Sequence, residues 1–144
     1  MKKTLLSLTA SLAGVGLAWI LLTTYAPGSW IAAGAACPRN WGWSPAWMPR
    51  SSPLDAVSFE LEPDVDAKIC YGRPSLAYRT MIGGDSVPFG HLWRTGANEP
   101  TTLHLSAPVR FGALDLGPGS YSLYTVPDPA LWEVVVSRST RQWG

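Results

Sequence analysis

Charge, lysine and cysteine are all scarce in this sequence, and each scarcity excludes something. Charged residues make up 15% of the 144 residues, against about 25% in a typical soluble protein. Lysine occurs only at Lys2, Lys3 and Lys68. From Cys37 onward eight Arg and one Lys face ten Asp and Glu, a net charge near −1, so no basic patch supports nucleic-acid binding. Cys37 and Cys70 are the only cysteines. Without a C-x-x-C pair there is no redox or zinc signature. No G-x-S-x-G elbow, phosphate loop or dinucleotide fingerprint is present, and nothing in the sequence calls for a cofactor. No amphipathic helical period follows residue 40, and no internal repeat occurs.

What is there begins with an apolar run. Lys2 and Lys3 precede Leu5–Leu22, LLSLTASLAGVGLAWILL, and no charge occurs between Thr4 and Pro38. As a helix, that run spans roughly 27 Å, close to the ~30 Å hydrocarbon core. Pro27-Gly28 would end it, and Tyr25 and Trp30 suit the membrane–water interface. Residues 1–26 are therefore expected to be a membrane anchor or a signal segment, with residues 5–25 meeting the membrane. The lysines stay on the cytoplasmic side. The rest of the chain then belongs to the cell envelope, anchored at the inner membrane, or secreted or periplasmic if cleaved. Ala33-Gly34-Ala35 fits the small-x-small cleavage pattern. Cleavage after Ala36 would expose Cys37 as in a lipoprotein, although Gly34 stands where such a motif carries Leu. In an oxidising compartment Cys37 and Cys70 can instead pair; the alternative for Cys70 is a small buried hydrophobe.

Residues 27–53, rich in Pro and Trp, read as a linker. Trp41, Trp43 and Trp47 would rest there on the membrane surface or cover a domain edge. Residues 54–144 read as a β-rich domain. Val57, Phe59 and Leu61 alternate with Ser58, Glu60 and Glu62, the pattern of a half-buried strand. After Pro63-Asp64, Val65, Ala67, Ile69 and Tyr71 form the inward set of a second strand, with Asp66 and Lys68 outside. Tyr78 to Ile82 reads as a short extended piece. Thr101, Leu103 and Leu105 alternate with Thr102, His104 and Ser106, which turns His104 outward or across the sheet. Val109 and Phe111, then Tyr121 to Val126, then Trp132 to Val136 complete the strands, separated by Gly/Pro turns. The expected fold is all-β: an antiparallel β-sandwich or barrel-like domain preceded by an N-terminal transmembrane or signal helix.

Several motifs then fall in one order: Tyr71-x-Arg73-Pro74, V-P-F-G-x-x-W-R-T-G-A-N-E (Val87 to Glu99), T-T-L (Thr101 to Leu103), G-x-Y-S-L-Y-T-x-P (Gly119 to Pro127), W-x-V (Trp132 to Val134) and Q-W-G (Gln142 to Gly144). From about Ser52 onward the chain resembles the bacterial envelope family catalogued as domain of unknown function 2911. The resemblance implies an exported β-rich protein and supplies no mechanism. In that family the Q-W-G element is followed by further strands, whereas this sequence stops at Gly144. The resemblance thus implies a sheet lacking its last strands or a truncated gene model. The family often carries Glu or Lys near His91, so His91 inherits no role.

The chemistry concentrates at Trp93 to Glu99. Gly96 permits a left-handed turn, Asn98 can bond back to the backbone, and Glu99 can pair with Arg94 or Arg73 through a charge-assisted fork. One reading is a self-fastening clip. The other places Tyr71, Arg73, Trp93, Arg94, Asn98, Glu99 and Tyr121 around a ligand. A cleft of aromatics, with Tyr124 and Trp132 added, and a few cations would suit a sugar or an anionic small molecule. Arg94 and Glu99 are the catalytic candidates, Glu99 as acceptor or general base. The His91, Glu99 and His104 spacing matches no metal signature, and no metal site is expected. Ser120 and Ser122 flank Tyr121 without an elbow. The acidic pairs Glu60/Glu62 and Asp64/Asp66 read as solvated faces. The functional expectation is a non-enzymatic envelope domain that binds a small molecule or an envelope partner. The alternatives are a hydrolase-like enzyme using Arg73, Arg94 and Glu99, and an incomplete, non-functional fragment.

Overall fold

The computed structural model describes residues 14–15, 28–38, 49–140 and 142. The apolar run at residues 5–25 lies almost wholly outside these residues, as do Trp41, Trp43 and Trp47. Among the described residues no helix is long and apolar enough to cross a membrane.

The domain is mostly antiparallel β-sheet. Strand β1 (Leu54–Glu62) turns at Pro63-Asp64 into β2 (Val65–Gly72), and Asp64 takes the left-handed conformation (φ 64°) that Asp tolerates at such a turn. After a long loop come β3 (Thr101–Leu105), β4 (Val109–Phe111), β5 (Leu114–Leu116), β6 (Gly119–Val126) and β7 (Glu133–Ser137). Five strands form one sheet in the order β1-β2-β3-β6-β7. Strands β4 and β5 form a separate hairpin, closed by Gly112 (φ 59°) and Ala113.

Cross-strand partners share a face of a sheet, so the register sorts the side chains into two sets. On one face Ala67 opposes Leu105, Ile69 opposes Leu103, Leu103 opposes Tyr121, and Leu123 opposes Val136. The hairpin covers this face: Leu116 completes the buried cluster Ala67, Leu103, Leu105 and Tyr121, and Val109 packs against it. On the other face Lys68 opposes His104, His104 opposes Ser120, Thr102 opposes both Cys70 and Ser122, and Ser122 opposes Ser137. This second face is polar, yet it is covered too. A short helix, α1 (Gly28–Ala32), lies on β2, β3 and β6, with Ile31 and Ala32 buried.

Coverage of both faces corrects several expectations. Lys68, read as outward, and His104, read as facing outward or across the sheet, are both buried, as are all five residues of β3. The region read as a linker holds α1 at its start. Val57 and Phe59 share the apolar face and Leu61 sits at a register break, yet all three remain exposed, because β1 is the outermost strand. Tyr78 to Ile82 forms no strand: Tyr78 has positive φ, and only Ile82 joins a bridge, with Val87.

Candidate functional site

The W-R-T-G-A-N-E segment runs from Trp93 into β3 and is fastened at nearly every residue. Trp93 and Thr125 exchange both backbone hydrogen bonds, at 2.7 and 2.8 Å. The Thr101 amide donates to the Arg94 carbonyl, its hydroxyl donates to the Thr95 carbonyl at 2.6 Å, and the Ala97 amide donates to the Gly72 carbonyl. Thr95 (φ 55°) and Asn98 (φ 67°) adopt the left-handed conformation, rather than the neighbouring glycine. A β-branched residue there is strained, and the Thr95 hydroxyl offsets this by bonding the Trp93 carbonyl and the Thr125 hydroxyl.

Glu99 carries the strongest tie. Arg50 grips it with two parallel bonds, Nη1 to Oε1 at 2.6 Å and Nη2 to Oε2 at 2.8 Å. The fork geometry makes this a charge-assisted pair of the stronger kind, and Glu99 is only 5% exposed. Arg50 Nε and the Asn98 amide both donate to the Ser52 carbonyl, so the stretch before β1 closes over the loop. The expected Glu99 partners were Arg94 or Arg73; the partner is Arg50. Arg50 reaches Glu99 across 49 positions from a stretch read as a linker. Arg73 instead meets Asp55 at 3.2 Å on the surface.

Close approach also explains a glycine. A Cβ on Gly72 would run into the Ala97 carbonyl. Gly72→Ala is expected to lower stability by about 1–3 kcal/mol, the cost of overpacking a fitted site. A denaturation midpoint equal to that of the wild type would show that the loop yields freely.

The polar face forms a second constellation. His104, 1% exposed, contacts the Thr102 hydroxyl through Nε2 at 2.9 Å and the Ser120 hydroxyl through Nδ1 at 2.8 Å. A neutral imidazole has one donor and one acceptor nitrogen, so one hydroxyl donates and the other accepts. Burial, and secondarily the Lys68 charge, lower the His104 pKa to about 4, so the ring is neutral at ordinary pH. Lys68 Nζ donates to the Ala35 carbonyl at 2.8 Å. The Ser122 hydroxyl is fully buried and has no hydrogen-bond partner among the described residues. Cys37 and Cys70 form a disulfide with Cα atoms 5.8 Å apart. It closes a 33-residue separation and contributes about 2–4 kcal/mol in the loop-entropy account. A serine beside a histidine resembles a hydrolytic dyad, but the third group is a threonine hydroxyl rather than a carboxylate, and α1 lies over it.

A family model described as "Protein of unknown function (DUF2911)" matches residues 52–144. The chain belongs to this family. No curated protein and no solved structure matches it. The DUF2911 span takes in all seven strands and the W-R-T-G-A-N-E segment, while Arg50, α1 and Cys37 lie before it.

Within this DUF2911 domain the candidate residues divide. Tyr71 and Arg73 at the end of β2, Trp93, Arg94 and Asn98 in the loop, and Tyr124 near the end of β6 share one end of the sheet. Burial raises the Tyr124 pKa, and the Arg94 guanidinium acts in the opposite direction. The Tyr124 hydroxyl donates to Gln142 Oε1. Tyr121 stands apart: it is buried in the core, with its hydroxyl on the Gly117 carbonyl. Glu99 has both oxygens occupied by Arg50. Among the described residues, no group of His, Cys, Asp and Glu could hold a metal ion. Sequence reasoning missed Arg50, Lys68, Thr102 and the His104–Ser120 contact. A faint signal existed in the period-two run itself, since Lys68, Cys70, Thr102, His104, Ser120 and Ser122 all occupy the same alternate set.

Proposed function

We propose that this protein is an exported or membrane-anchored envelope domain that acts by binding rather than by catalysis. The observation that carries the location is the Cys37–Cys70 disulfide, since such bonds persist in oxidising compartments. The lysine-flanked apolar run before residue 23 agrees with it. The finer fold reading is a sandwich-like arrangement, with the β4–β5 hairpin as the beginning of a second layer. The ligand site is the sheet end carrying Tyr71, Arg73, Trp93 and Arg94. Aromatic faces with guanidinium groups suit an anionic or sugar-like small molecule. Glu99, the acceptor that a hydrolase would need, is committed to Arg50, and this favours binding over hydrolysis.

The test is fractionation of the C-terminally tagged full chain, followed by thermal-shift screening of the purified protein against sugars, sugar acids and organic phosphates. The expected result is recovery from the envelope fraction and a shift that Arg94→Ala or Arg73→Ala removes. Cytoplasmic recovery would overturn the location. Shifts unaffected by both substitutions would overturn the site.

A further inference from the structure

The tripeptide Ala33-Gly34-Ala35 has two readings, a processing motif and a structural element. The backbone around it forms a helix stop. The Gly34 amide donates to the Ile31 carbonyl, and the Ala35 amide reaches back to the Trp30 carbonyl at 2.9 Å. Gly34 itself has φ 120°. These two back-bonds, with glycine at the position just after the cap residue Ala33, form the Schellman arrangement that satisfies the last helical carbonyls. Small residues follow from that geometry without any appeal to a protease.

What comes before and after the stop is tied to the sheet. Gly28 sits so close to β6 that a Cβ would strike the Gly119 carbonyl group and lie 2.6 Å from the Ser120 nitrogen. Ile31 and Ala32 are buried over the polar face. The Ala35 carbonyl is the hydrogen-bond acceptor of the Lys68 ammonium, and Cys37 is bonded to Cys70. Removing residues 28–36 would strip the cover from His104, Thr102 and Ser122 and leave Lys68 without that acceptor. A buried polar network loses most when only part of it is satisfied.

We infer that the mature protein keeps residues 28–37 as a strap that closes the polar face, and that any processing of the export segment falls before Gly28. The sulfur of Cys37 is then held in the disulfide rather than lipidated. This rests on the export reading, but its two tests separate from that reading. First, intact mass and N-terminal sequencing of the chain recovered from cells should give a start at or before Gly28. A start anywhere from Ser29 onward would overturn the inference. Second, Gly34→Ala leaves both small flanking residues of the tripeptide in place but puts a side chain where φ is 120°. Its melting midpoint should fall by several degrees in the full chain. An unchanged midpoint would mean that the glycine serves no structural stop, and would equally overturn it. Recovery from the cytoplasm would defeat the export reading while leaving the Gly34→Ala result to judge the strap.

Discussion

Arg50→Ala is expected to destabilise the domain by about 3–5 kcal/mol, the usual cost of breaking a buried ion pair from one side. For a domain of this size, that is a fall in melting temperature of more than about 10 °C. The substitution leaves the Glu99 carboxylate buried with both of its forked hydrogen bonds gone. Glu99→Ala should cost a similar amount, and the double variant less than the sum, because each single change strands the other charge. The surface pair between Arg73 and Asp55 provides the contrast. Both of its side chains are well exposed, and Asp55→Ala should cost no more than about 1 kcal/mol. Denaturant titration of the four variants checks the order. If Arg50→Ala costs as little as Asp55→Ala, the loop is not held by this pair.

Stability should fall by roughly 3 kcal/mol as pH drops from about 6.5 to about 4, on account of His104 alone, at ~1.4 kcal/mol per pKa unit. In the unfolded chain the imidazole takes up its proton near the ordinary histidine value of 6.5, whereas in the fold it resists until about 4. Between those values the unfolded state binds more protons, so stability rises with pH through the window, is complete above it and is level below it. Protonation would also give both ring nitrogens a hydrogen. The hydroxyl that donated would then have to turn away, next to the Lys68 charge. The comparison that isolates His104 is wild type against His104→Gln between pH 7 and 5. The wild type should lose stability there and the variant should stay nearly level. Equal slopes would show that the ring is not the titrating group.

The strands were largely legible in the sequence because period-two alternation is a local signal. Val65 to Tyr71, Thr101 to Leu105 and Tyr121 to Val126 all fall in observed strands. The faces were less legible. Alternation shows that Lys68 and His104 point away from the Leu105 core, but not that α1 lies there to bury them. That burial comes from a segment more than 30 residues earlier in the chain, held by a disulfide. The same limit applies to the candidate site. Trp93 to Glu99 is a densely tied loop, as its residue types suggest, but it is not self-fastened: Glu99 is held by Arg50 from outside the loop rather than by Arg94 or Arg73. The partner of Glu99 was missed because Arg50 sits in a proline-rich stretch with no period to read. Thr95 and Asn98, rather than Gly96, take the left-handed turns. Residue type alone cannot decide between neighbours when side-chain hydrogen bonds offset the strain.

The account turns on a strap fastened across the polar face in an oxidising compartment. The most direct measurement is thiol alkylation of the full chain, trapped at the moment of cell lysis and read by intact mass with and without prior reduction. The account predicts no alkylated cysteine before reduction and two after it. Two alkylated cysteines in the unreduced sample would contradict it, because Cys37 and Cys70 would then be free and the strap unfastened.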